Sequence, residues 1–134
     1  EIKKNNEYIV DIMNLVGYDA VTIGNHEFDF RLTRLDELVA LMDTKPVSCN
    51  FQKIGDENTY FEPYSIVSYG DVDVAFIGIT TPESISMSSP AQFKDADGEF
   101  IYTFNPDTLT ATMLSIPRDT YVPIACFSGK GETC

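Results

Sequence analysis

The chain has 134 residues, enough for one modest domain, and 43% of them are apolar, an ordinary share for a globular core and too high for wholesale disorder. Its net charge of −12, with nine scattered Lys and Arg against 21 Asp and Glu, argues against nucleic acid or an anionic membrane as a partner, because both need clustered cations. An acidic chain that handles a phosphate ester would need metal ions to bring the two anions together.

The three cysteines, Cys49, Cys126 and Cys134, form no C-x-x-C and no Cys/His cluster, so a zinc finger, a redox motif and a disulfide framework are all disfavoured. Cys49 lies in an apolar stretch and reads as a buried thiol. No apolar run approaches the length of a membrane span, and no signal peptide is visible. The first residue is Glu1 rather than Met, and the chain reads as if it opened inside a helix.

In chain order, Tyr8, Ile9, Ile12, Met13, Leu15 and Val16 recur at helical spacing, with Asn5 or Asn6 as the expected cap and Gly17 as the stop. Ala20 to Ile23 reads as a short buried strand broken by Gly24. A second helix is expected over "TRLDELVALMD", with Leu35, Leu38, Val39 and Met42 on one face and a weak Thr33/Asp36 capping box. "PVSCNF" reads as a strand ending at Asn50, and "QKIGDENTYFEP" as a polar loop. A hairpin follows, Tyr64 to Val67 and Val72 to Ile79, around Gly70-Asp71. The Ser-, Pro- and Asp-rich stretch that leads to Phe104 reads mostly as loop, long enough to suggest function or flexibility. After a turn at Asn105-Pro106-Asp107, the Thr/apolar alternation from Leu109 to Ile116 predicts a strand that Pro117 ends, and Tyr121 to Phe127 a further extended run.

The residues with the most chemistry are Asn25 and His26, just past the Ala20 to Ile23 strand, at the strand edge where open α/β sheets bind ligands. His26 is the only histidine. An asparagine carbonyl is a neutral ligand for a hard or borderline cation, and a histidine ligates a metal or donates a proton to developing negative charge. The plainer alternative is an Asx-turn asparagine beside a surface histidine.

The segments "NLVGYDAVTIGNHEFDF", "VSCNF" and "YGDVDVAFIGITTPES" resemble the metallophosphoesterases, in the branch of bacterial 5′-nucleotidases and 2′,3′-cyclic-nucleotide phosphodiesterases, over about residues 1–104. The resemblance implies an α/β fold that is one half of a four-layer α/β/β/α sandwich: short, mainly parallel strands with intervening helices and a hairpin, and an uncovered apolar sheet face that invites self-association or a partner. It implies a nucleotide phosphate ester as substrate and two divalent metal ions such as Mn or Zn. By the same resemblance Asn25 ligates one metal, His26 stabilises the phosphoryl transition state, and Glu27 and Asp29 support the loop. Arg31 departs from the pattern, since that family usually has glycine after "FDF".

Two bridged metals, about 3.5–4 Å apart, need several carboxylates and imidazoles. The family's Asp-x-His motif, the aspartate after it and two later histidine motifs are absent from this sequence, so the chain carries one arm of such a site and is expected to be inactive and to hold metal poorly by itself. The tail, about residues 105–134, holds "SIPRDTYVPI" and resembles the LytR-CpsA-Psr transferases of bacterial cell-wall glycopolymers, which implies pyrophosphate binding at Arg118. A domain boundary near Asn105 follows from the two resemblances. Both families are exported or cell-surface proteins in bacteria. Three readings remain open here: a partial enzyme, a phosphate- or nucleotide-binding module without turnover, and an interaction protein that reuses the scaffold.

Overall fold

The computed structural model describes residues 2–122. Helix α1 (Ile2–Val16) runs through Asn5 and Asn6, so neither caps it. Gly17 ends it as expected: its backbone has φ 72°, open to glycine at no steric cost, and its N–H donates to the Met13 carbonyl at 3.1 Å. Strand β1 (Val21–Thr22) follows, then a 3₁₀ turn (His26–Phe28) and helix α2 (Leu32–Leu41). Strands β2 (Pro46–Val47) and β3 (Phe51–Lys53) divide the predicted "PVSCNF" strand around Asn50. The hairpin is β4 (Tyr64–Tyr69) and β5 (Val72–Ile77), with Gly70 at φ 64° in its two-residue loop.

The stretch expected to be mostly loop contains a one-turn helix α3 (Ser84–Met87), a 3₁₀ turn (Pro90–Phe93) and strand β6 (Tyr102–Phe104). Beyond it, the expected strand from Leu109 to Ile116 is instead helix α4 (Thr108–Ser115). The Asn105 side chain accepts the Asp107 N–H at 3.0 Å and the Thr108 hydroxyl donates to the Asn105 carbonyl at 2.8 Å, so the Asn-Pro-Asp turn starts a helix. Thr112 and Ile116, one helical turn apart, are buried. Of the second extended run, only Tyr121 and Val122 are described. Tyr121 bridges in parallel to Val74, on the free edge of β5, and its backbone exchanges hydrogen bonds with Asp73 and Ala75. Residues 123–127 of that run, with Cys126 and Cys134, lie outside the described residues.

The architecture is α/β, with three two-stranded sheets among the described residues. Only β1–β2 is parallel; β3–β6 and β4–β5 are antiparallel, so the strands are not mainly parallel as expected. Gly78 lets the chain after β5 lie against β2: a Cβ there would sit 1.9 Å from the Val47 carbonyl oxygen. The core joins Ile23, Phe28, Leu35, Phe51, Phe93 and Phe104. Phe28 is fully buried, with its ring centroid 5.2 Å from those of both Phe51 and Phe93. Edge-to-face and tilted pairs of this kind add to the area they bury. Phe28→Ala should therefore lower stability by about 3–5 kcal/mol, measured by urea unfolding.

Arg31 has φ 73° and ψ 155°, a region that side chains other than glycine's occupy only under strain. It stands at the start of α2, where no side chain caps the helix; Asp36, the expected cap partner, accepts the Tyr60 hydroxyl at 2.7 Å instead. Arg31→Gly relieves this strain and should raise stability by about 1 kcal/mol, read as a higher urea midpoint at an unchanged slope.

Candidate functional site

The loop Gly24–Asn25 leaves the carboxyl end of β1 and turns directly into the His26–Phe28 3₁₀ turn. Two carboxylates brace it. Glu27 Oε2 accepts the Gly24 N–H at 2.8 Å, and Asp29 Oδ2 lies 2.8 Å from His26 Nδ1 across the turn. The Gln92 side-chain amide donates to the Phe28 carbonyl from the later 3₁₀ turn, and Phe93 beside it packs on the Phe28 ring. The stretch expected to be loop thus clamps the turn from behind.

Asn25 and His26 face different surroundings. Asn25 is 8% exposed and makes no capping hydrogen bond, so it is not the Asx-turn residue of the plainer reading. It lines a cavity of about 380 Å³ together with Thr22, Thr80, Thr81 and Ser84, against apolar walls that include Met13 and Tyr18. The His26 side chain is 79% exposed. A rim open to solvent therefore describes His26 but not Asn25, which is tucked below it.

The Asp29 carboxylate raises the His26 pKa above the ordinary 6.5, first through their hydrogen bond and then by charge attraction. A histidine raised in the folded state adds stability that is present below the unfolded pKa and is lost as pH rises through the folded one. His26 is solvated, so its tuning bears on protonation and orientation more than on stability.

The donor set is thin. Among the described residues no three His, Cys, Asp or Glu side chains gather to hold a metal ion. Asn25 contributes one neutral oxygen, and Asp11 and Asp19, which precede it, sit on α1 and on the turn before β1, where Asp19 accepts the Tyr69 hydroxyl at 2.5 Å. The residues present do not fit a resident dinuclear centre on their own. Arg118 is exposed in the turn after α4, where the Thr120 N–H donates to the Pro117 carbonyl at 3.1 Å. The cysteine expected to be buried is: Cys49 is 0% exposed, and burial pushes its thiol pKa up.

Sequence reasoning left Asn50 and Thr80 without a role, although both stand in segments that carry the family resemblance. Both are 2% exposed, and a polar side chain at the end of an apolar run was the available signal.

No family model matches the chain. Over 85 residues it is 36% identical to the protein UshA of Escherichia coli (strain K12), a match that covers 63% of this chain and 16% of that protein. Over 90 residues it is 37% identical to a snake venom 5′-nucleotidase of Gloydius brevicauda, covering 63% of this chain and 15% of the venom protein. The crystal structure of a 5′-nucleotidase precursor from Thermus thermophilus superposes with a TM-score of 0.64 at 26% identity, covering 84% of this chain and 22% of that one. The chain thus spans about one sixth of the length of the curated relatives it matches. These similarities fit the 5′-nucleotidase branch of the metallophosphoesterases, a family of nucleotide phosphoesterases, and the chain has the fold of a fragment of it. Nothing in them supports the LytR-CpsA-Psr resemblance of the tail.

Asp29→Asn removes the charge beside His26 and should bring the His26 pKa down toward its ordinary value. Because His26 is the only histidine, its ring signals in an NMR titration report this without assignment by mutation.

Proposed function

We propose that this chain is one arm of a nucleotide phosphoesterase of the 5′-nucleotidase kind, with Asn25 as a metal ligand and His26 as the group that stabilises charge on the phosphoryl oxygens. The observation that carries this reading is the placement of the two side chains. Adjacent in sequence, they part at the end of a strand, Asn25 into a cavity with polar neighbours and His26 into solvent with Asp29 behind it. An imidazole held by a carboxylate is oriented and kept basic, and in its protonated form suits an anionic phosphoryl group.

The metal ions, Mn or Zn in the resemblance, need ligands that the described residues do not gather. Asn25 would supply one of them, and the others would come from outside this chain. By itself the chain is then inactive and binds Mn²⁺ or Zn²⁺ weakly, because one neutral oxygen neither holds a divalent cation firmly nor lowers the pKa of its water. What supports inactivity is the ligand count alone.

For residues 105–134 the support is thinner. The strand on which the transferase resemblance rested is helix α4, and an exposed Arg118 guanidinium is all that speaks for pyrophosphate binding there.

Two measurements test the reading. The purified 134-residue chain, given AMP or a chromogenic phosphodiester with Mn²⁺, should show no turnover above background; turnover that His26→Ala abolishes would show that a working site assembles from this chain. In any longer protein that joins this segment to the remaining metal ligands, AMP hydrolysis is expected, and His26→Ala should lower kcat by about 10²–10³, as loss of one transition-state donor does. An unchanged kcat in that variant would remove His26 from the chemistry.

A further inference from the structure

The cavity that Asn25 lines is closed on one side by the chain that leaves β5. At Gly78 that chain accepts the Cys49 N–H at 2.7 Å, and at Thr80 it is held by a buried side chain. Asn50 Nδ2 donates to the Thr80 carbonyl at 2.6 Å, and the Thr80 N–H donates back to Asn50 Oδ1 at 3.0 Å. One carboxamide thus satisfies both backbone groups of Thr80 after β5 has ended at Ile77. The Asn50 carbonyl in turn accepts the Asn105 N–H at 2.7 Å, which fixes the backbone that carries the amide. Asparagine suits this place because its short arm bears a donor and an acceptor; aspartate would lose the donor and bury a charge.

Thr80 passes the constraint on. Its hydroxyl donates to the Ile23 carbonyl at 2.8 Å, in a site where Thr80 is 2% and Ile23 3% exposed. β1 pairs with β2 only at Val21 and Thr22, so the Ile23 carbonyl lies beyond the last ladder partner. A buried carbonyl left without a donor would be costly, and the chain would shift to satisfy it. Gly24, the next residue, has no side chain to hold it and is braced only through its N–H to Glu27, so the anchor at Ile23 helps fix where Asn25 begins.

We propose that Asn50 and Thr80 form a clip that sets the position of Asn25, acting as positioning residues through the Ile23 carbonyl. The clip gives a role to two of the three segments that carry the family resemblance but hold no ligand. That Asn25 serves as a metal ligand rests on the function proposed above; that the clip positions it does not.

The test uses ¹⁵N NMR of the 134-residue chain, with no metal and no nucleotide. In the wild-type protein, the Asn50 side-chain amide protons should exchange with solvent more slowly than those of exposed Asn58 by about tenfold or more, the factor that one net hydrogen bond supplies. Equal rates overturn the proposal, whether or not any variant folds. Thr80→Val keeps the shape and removes the hydroxyl; it should move the side-chain amide signals of Asn25 and speed exchange at the Gly24 amide. Thr80→Ser keeps the hydroxyl and should restore both. Val10→Ala, a core truncation in α1, should lower the melting temperature without moving the Asn25 signals. Asn25 signals unmoved in Thr80→Val, or a Thr80→Ser that behaves like Thr80→Val, overturn the clip. Because no turnover is read, absence of AMP hydrolysis in a longer protein that holds this segment and the remaining metal ligands would sink the nucleotidase reading and leave this result standing.

Discussion

The ring of Phe28 is the contact on which the candidate site depends. It is the last residue of the 3₁₀ turn that begins at His26, and it lies fully buried among Phe51, Phe93 and Phe104, with centroids 5.2 to 5.7 Å away. Those three rings come from β3, from the turn after α3 and from β6, so one side chain ties the signature loop to segments spread across the chain. With Phe28 fixed, the two residues on either side of the turn have little freedom, and Glu27 and Asp29 add only local bracing. A functional loop built on a packed aromatic holds its geometry better than one held by surface contacts alone.

Around that anchor the sheets are small. Two strands of two residues each, β1 and β2, would not be stable alone, and they are kept in register by what packs on them: Gly78 against Val47, and the Thr22 hydroxyl donating to the Val47 carbonyl at 3.1 Å. Helices α1 and α2 are joined across their faces by Arg34, which pairs with Glu7 at 3.0 Å and with Glu37 at 2.6 Å. The outer side of α1 remains open, with Tyr8, Ile12 and Leu15 exposed, as expected of a segment that spans a small part of a longer relative.

Much of this was legible in the sequence. β1 and its loop could be read because a β-branched run stops at a glycine, and the hairpin because Gly70-Asp71 parts two apolar stretches. Cys49 in an apolar run was rightly read as buried. α4 was not legible from period alone: Leu109, Ala111 and Met113 alternate with threonines and mimic a strand. The better signal was Asn105-Pro106-Asp107, which carries helix-start chemistry. The α2 cap was misread because the helix already starts at Leu32, ahead of Thr33, and Asp36 finds Tyr60, 24 residues away. The clip of Asn50 and Thr80 is likewise a contact across 30 residues. His26 and Asn25 could be placed on their loop, but the burial of Asn25 beside Thr80, Thr81 and Ser84 arises only in the fold.

The contrast between positions 26 and 28 bears on how variants of any protein carrying this segment would behave with temperature. Phe28 is packed on all sides, so truncating it removes stability, and its defect would grow on warming and recede in the cold. His26 stands in solvent with a single carboxylate partner, so replacing it leaves the fold about as stable as before at any temperature. Two residues of one short motif would then sort into a temperature-sensitive class and a temperature-independent class, with the boundary set by which way each side chain points.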